Sequence, residues 1–156
     1  MTYISIDPGT TKSAYILWCG KVVNKEIVEN QKIIDILKSY TSDLVVLIEK
    51  IASYGMPIGI TTIETIEWIG RFTQVALDKG FKTELILRKD VKMHHCYSMR
   101  AKDSNIRQAL LDRWGGRKKA IGLKKTPGPL YGITKDLWSS LAILTFYLDT
   151  HGVKMK

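Results

Sequence analysis

The chain has 156 residues, 45% of them hydrophobic and 25% charged, which suits one domain with a proper core and excludes disordered and fibrous architectures. No apolar run approaches the roughly 20 residues needed to cross a bilayer, and the opening MTYISID has none of the regions of a signal peptide. A cytoplasmic protein folded as a single domain over residues 1–156 is expected. The net charge of +9 is unevenly placed: Arg88 to Lys125 carries twelve Lys/Arg against three acids, whereas residues 1–87 carry nine against ten. Concentrated positive charge of this kind points to a phosphate-bearing partner and hence to nucleic acid.

Taken in chain order, Thr2–Asp7 alternates β-branched and aromatic residues and breaks at Pro8-Gly9, so it reads as a strand. Ser13–Trp18 and Lys21–Val28 read as two more, joined tightly through Cys19-Gly20. Gln31–Ser39 has the apolar spacing of a short amphipathic helix. Leu44–Glu49 is a continuous apolar run ending in an acid, the pattern of a central strand buried on both faces. A loop with Gly55, Pro57 and Gly59 follows. Thr61 and Glu64 are spaced as a capping box, opening a helix that runs to about Lys79 and stops at Gly80.

Thr83–Leu87 is a fifth strand. His94, His95 and Cys96 stand together, but no second Cys/His pair lies at zinc-site spacing, so a strand or loop edge is expected there. Cys19 and Cys96 are expected as free thiols. Ser104–Trp114 reads as a helix ended by Gly115-Gly116, Arg117 to Gly132 as a basic loop, and Asp136–Thr150 as a final helix.

Three meandering strands followed by alternating helix and strand match a ribonuclease-H-like α/β plan, a five-stranded mixed sheet of order 3-2-1-4-5 flanked by helices. In that order the first and fourth strands are parallel neighbours. Asp7 and Glu49 then lie side by side at their C-terminal ends, the edge at which open α/β sheets place ligand sites. Neighbouring carboxylates repel and persist together where a cation or a shared proton compensates them, and a hard divalent ion held by oxygen is the natural choice. Asp136, at the start of the last helix, is the candidate third acid. Asp103 competes with it but reads as the N-cap of its own helix.

Asp7-Pro8-Gly9 after a first strand, Glu49 closing a later one and Asp136 opening a C-terminal helix together resemble the RuvC family of Holliday junction resolvases, the short phage-encoded members above all. Ala101–Trp114 (AKDSNIRQALLDRW) and Pro127–Ala142 (PGPLYGITKDLWSSLA) are similar in style to that family, and the resemblance spans nearly the whole chain. It implies a homodimer, Mg²⁺ or Mn²⁺ with two ions per active site, and paired nicks across a DNA junction. Asp7, Glu49 and Asp136 match the family's metal-binding, catalytic acids. Ser139 departs from it, a hydroxyl where cellular members usually carry a fourth acid.

Lys102, at the head of its helix, is a candidate for neutralising charge at the reacting phosphate. Arg117, Lys118, Lys119, Lys124 and Lys125 are candidate backbone contacts, which give affinity without reading sequence. Tyr54 and Met56 could wedge among unpaired bases. The helix from Thr62 carries apolar residues on more than one face, as a helix shared between core and twin subunit would. Three other readings compete. Ile6–Thr11 is also similar to the first phosphate loop of sugar kinases, actin and Hsp70-type ATPases, but their cleft needs two such domains. A branched-nucleic-acid-binding protein with a weakened site, and a nuclease of the same fold acting on RNA–DNA hybrids or flaps, share the carboxylates and the fold.

Overall fold

A computed structural model of the chain describes residues 1–155. Strands β1 (Thr2–Asp7), β2 (Lys12–Trp18) and β3 (Val22–Glu29) meander into helix α1 (Asn30–Ser39). Strand β4 (Leu44–Lys50), helix α2 (Ile60–Asp78) and strand β5 (Lys82–Leu87) follow. The chain then runs through helices α3 (Arg88–Cys96), α4 (Asp103–Arg113), α5 (Arg117–Ile121) and α6 (Leu137–Thr150). The sheet order is β3-β2-β1-β4-β5, as expected, with β1–β2 and β2–β3 antiparallel and β1–β4 and β4–β5 parallel.

Side chains alternate across each strand and divide the apolar residues between two layers. Ile4, Ile6, Val46 and Ile48 face α1 and α2, where α2 presents Thr65, Ile69, Phe72 and Ala76 at helical spacing. Tyr3, Val45, Leu47 and Ile86 face the other way, onto Leu141, Leu144 and Leu148 of α6 with α3 and α4 beside it. By the same alternation Ser5, Asp7 and Glu49 belong to the α6 face.

Four expectations are corrected. The segment after β5 holds four helices rather than two, and Arg88–Cys96 is one of them; His94, His95 and Cys96 end helix α3 instead of lying on a strand or loop edge. The basic segment from Arg117 is not loop throughout, since Arg117–Ile121 forms α5 and buries Ala120. The Thr61/Glu64 capping box does not form: α2 begins at Ile60 with Gly59 as N-cap, and the Thr61 carbonyl instead accepts hydrogen bonds from the hydroxyls of Thr65 and Thr10. Finally, Asp103 is the first helical residue of α4 and not its cap; Lys102 holds that position, its backbone N–H donating to Asn105 Oδ1 at 2.9 Å. The cysteines are free, as expected. Among the described residues no helix is long and apolar enough to cross a membrane.

Candidate active site

The register of β1 against β4 pairs Ile6 with Ile48, so Asp7 and Glu49 are the next residues along two adjacent parallel strands. The turn after Asp7 is tightly built. A Cβ on Gly9 would meet the Lys12 carbonyl oxygen at 2.2 Å, so only glycine fits there. The buried Ser13 hydroxyl accepts from Gly9 N–H at 3.1 Å and donates to Asn30 Oδ1 at 2.5 Å, while the Asn30 amide donates to the Gly9 carbonyl at 2.9 Å. Asp7 therefore leaves a fixed strand into a fixed turn.

A second fastening brings the third acid over the first two. The Ser140 hydroxyl, fully buried in α6, donates to the Ser5 carbonyl at 2.8 Å and lies 2.9 Å from the Ser5 hydroxyl. Ser5 is two residues before Asp7, and Ser140 is one helical turn after Asp136. This contact sets the N-terminus of α6 above the strand end. Asp136 occupies the N-cap position, yet its side chain makes no capping hydrogen bond. An Asp there ordinarily does.

Asp7 registers the other two acids. Burial, then Glu49, then Asp136 push the Asp7 carboxyl up to about 8, against a smaller lowering by Arg88. Burial also raises Glu49, partly offset by Arg88. Arg88 is the positive centre of the group. Its guanidinium lies 3.5 Å from Glu49 Oε1 and pairs with Asp103. A cavity of about 170 Å³ opens between these elements, with Glu49, Asp103 and Asp136 in its wall together with Arg88, Lys135 and Ser139. Asp7 does not contribute to that wall, although it lies within electrostatic reach of Glu49, Asp136, Arg88 and Asp103.

Of the other sequence candidates, Lys102 is exposed and outside the cavity wall, one residue before Asp103. Lys118, Lys119, Lys124 and Lys125 are exposed on α5 and on the turn beyond it, which is closed by a bridge between Gly122 and Pro127. Arg117 lines a neighbouring cavity. Tyr54 and Met56 are 64% and 70% exposed in the loop after β4, with the Lys89 ammonium 5.6 Å from the Tyr54 ring. Sequence reasoning missed Arg88, Arg107 and Lys135. Arg88 carried a usable signal, since it directly follows a strand whose C-terminal end shares the sheet edge with Glu49.

The donors present are carboxylate oxygens, the type that hard cations such as Mg²⁺ prefer. Burial first, and then like charge, opposes ionisation of Asp7, which a bound cation would relieve. The set is open: among the described residues no three His, Cys, Asp or Glu side chains close up into a metal-chelating group. The acids fit a divalent ion in chemistry, with Arg88 supplying part of the counter-charge.

No protein-family model and no curated protein sequence matches the chain. Solved structures do. The chain superposes on Thermus thermophilus RuvC with a TM-score of 0.62 at 16% identity, covering 98% of each chain. It also superposes on T. thermophilus RuvC in complex with a Holliday junction substrate, with a TM-score of 0.61 at 16% identity, covering 98% of this chain and 97% of that one. The fold is ribonuclease-H-like. Within the ribonuclease-H-like sheet the strand order, the full-length coverage and the placing of Asp7 beside Glu49 are mutually consistent, and identity at this level speaks to fold alone.

Proposed function

We propose that the chain is a metal-dependent endonuclease that hydrolyses phosphodiesters in branched DNA, Holliday junctions first among its substrates. One observation carries the reading: Asp7 and Glu49 stand on adjacent parallel strands beneath Asp136, and burial with like charge holds the Asp7 carboxyl up near 8. Perturbed acids gathered in a cleft are the ordinary signature of a functional site. The fold is the one that T. thermophilus RuvC uses to hold a Holliday junction.

Asp7, Glu49 and Asp136 would hold Mg²⁺ or Mn²⁺, two ions per site, supplying a Lewis acid for the phosphoryl oxygen and an acidified water. The chain's own groups do the remainder. Arg88, 3.5 Å from Glu49 Oε1, offsets part of the charge on that carboxylate. Arg88 and Lys102 offset negative charge growing on the phosphoryl oxygens. The Ser139 hydroxyl stands in the cavity wall where a carboxylate would otherwise add charge. Arg117, Lys118, Lys119, Lys124 and Lys125 hold the backbone, while exposed Tyr54 and Met56 meet unpaired bases at the branch. Exposed Ile60, Ile63 and Ile66 on α2 support a homodimer, which would set two such sites on one junction.

A second reading, a branched-DNA-binding protein that does not cut, is favoured by the Arg88 pairing and by Ser139. A labelled four-way junction, a matched duplex and an RNA–DNA hybrid, each with Mg²⁺, Mn²⁺ or EDTA, separate the two. Metal-dependent paired nicks on the junction, absent in Asp7→Asn, are expected. Junction binding without cleavage under any metal establishes the second reading instead, and cutting of the hybrid alone moves the substrate to RNA.

A further inference from the structure

The cleft continues past its acids. Arg107, Lys135 and Trp138 also wall a second cavity of about 310 Å³, where Arg117 joins them. This wall contains three cations and no carboxylate. Among the described residues none of the three cations takes part in an ion pair. The Arg107 guanidinium, on an exposed residue, lies 5.7 Å from the centre of the Trp138 ring. Like charges gathered round a cavity repel, and an anion between them removes that cost.

The backbone here is equally unusual. Lys135 has φ of 47°, in the left-handed region that non-glycine residues seldom occupy, and it directly precedes Asp136. Such conformations persist where surrounding structure imposes them and cluster at binding sites. The frame is stiff enough to do so. A Cβ on Gly128 would meet the carbonyl oxygens of Lys119 and Ala120 at 2.2 and 2.3 Å, and Leu130 N–H donates to the Ala120 carbonyl at 2.8 Å. The loop from Gly122 to Ile133 is thus laced to α5, and Ile133 is buried under the turn that presents Lys135.

We propose that Arg107, Arg117 and Lys135 form a binding site for one backbone phosphate, the neighbour on the same strand of the phosphate that lies at Asp7, Glu49 and Asp136. The identification of that second phosphate rests on the nuclease reading; the anion site itself does not. The first cavity sets Glu49, Asp103 and Asp136 against Arg88, Arg107 and Lys135, whereas the charged groups walling the second are cations alone, and it accepts a phosphate directly. Arg107, Lys135 and Trp138 line both cavities, so the two share a wall. Strand position is then fixed by the cationic cavity before any cation is needed at the acids.

The test is a scan in which single neutral methylphosphonate linkages replace phosphates along each strand of a four-way junction, with binding measured in EDTA. In the wild-type protein one linkage weakens binding by about tenfold. In the Arg107→Gln/Lys135→Gln double variant that penalty disappears at the one linkage and remains at the others. A double variant that keeps the wild-type penalty at every linkage overturns the site. Lys135→Gly gives a second readout: relief of the left-handed backbone raises Tm while affinity falls, and unchanged affinity with raised Tm overturns the role of Lys135. Cleavage of the same junctions in Mg²⁺ separates the two readings. A junction bound with the single-linkage coupling but never cut leaves the phosphate site standing and removes the nuclease; a junction cut without the coupling does the reverse.

Discussion

Two charged clusters lie on the α6 face of the sheet, and they are built in opposite ways. At the far end of α6, Asp149 accepts from both Arg113 guanidinium nitrogens at 2.6 and 2.5 Å and lies 2.7 Å from His94 Nε2. Burial pushes its carboxyl up, but Arg113 and His94 outweigh that and hold it below the usual range. At the near end, Asp7 is raised to about 8 by burial, Glu49 and Asp136. One cluster is a clamp that ties α3 and α4 to α6 with its charges matched. The other places Asp7 where burial and like charge oppose its ionisation, so that ionising it costs the folded state. A protein retains such a mismatch where something outside the chain completes it.

Exchanging the roles in that comparison gives the largest effect. Asp7→Asn is expected to reduce junction cleavage on the order of 10²–10³-fold or more, with binding largely kept, and EDTA should do the same to the wild type. Asp149→Ala should leave the cleavage rate of the folded protein near wild type and lower its stability. Loss of a charged, partly exposed partner from Arg113 and His94 is expected to cost about 2 kcal/mol in urea unfolding. Robust cutting by Asp7→Asn, or a stability loss there larger than at Asp149, would remove the distinction between the clusters.

The acid pair was legible because its position follows from pattern alone. An apolar strand ending in Asp7, another ending in Glu49, and an order of elements that makes them neighbours require no knowledge of side-chain contacts. What could not be read depends on groups far apart in sequence or on too few apolar residues. Helix α3 buries only Val91, and α5 only Ala120, so neither leaves a periodic signal. Asp103 passed for a cap because its partner Arg88 lies 15 residues earlier. Lys135 drew no reading from the sequence, since nothing there signals its left-handed backbone. Ser140 gave no sign of itself, because its value lies in reaching Ser5, 135 positions away.

That serine contact offers a smaller test of how the acid cluster is held. Ser140→Ala removes a buried donor and leaves the Ser5 hydroxyl and carbonyl without it. The expected cost is about 1.5 kcal/mol of stability. Because the same contact seats Asp136 over Asp7, cleavage should fall as well, by about tenfold at temperatures where the variant is fully folded. A stability loss with unchanged cleavage would mean that α6 is seated by its leucines alone.

The smallest effect is the most diagnostic, because the two clusters predict different pH behaviour. Asp7 has a folded pKa raised to about 8, so its protonated form stabilises the fold fully below the ordinary carboxylate range, and that contribution is lost as pH rises through about 8. Glu49 is raised as well and acts in the same sense. Asp149 is depressed, so its contribution is present above the ordinary carboxylate range and is lost only in more acidic solution. In EDTA, between about pH 5 and pH 8.5, the wild-type Tm should therefore fall relative to that of Asp7→Asn. The gap should widen by a few degrees, at about 2–4 °C for each kcal/mol in a chain of this size. Asp149→Ala should run parallel to the wild type across the same window, displaced downward. Saturating Mg²⁺ should narrow the Asp7→Asn gap at the alkaline end, since an ion that binds the folded, ionised acids stabilises only the wild type. Melting curves that stay parallel for Asp7→Asn would show that its carboxyl is already compensated within the chain, by Arg88 acting as the resident cation, and would move the weight of the functional reading from cutting to binding.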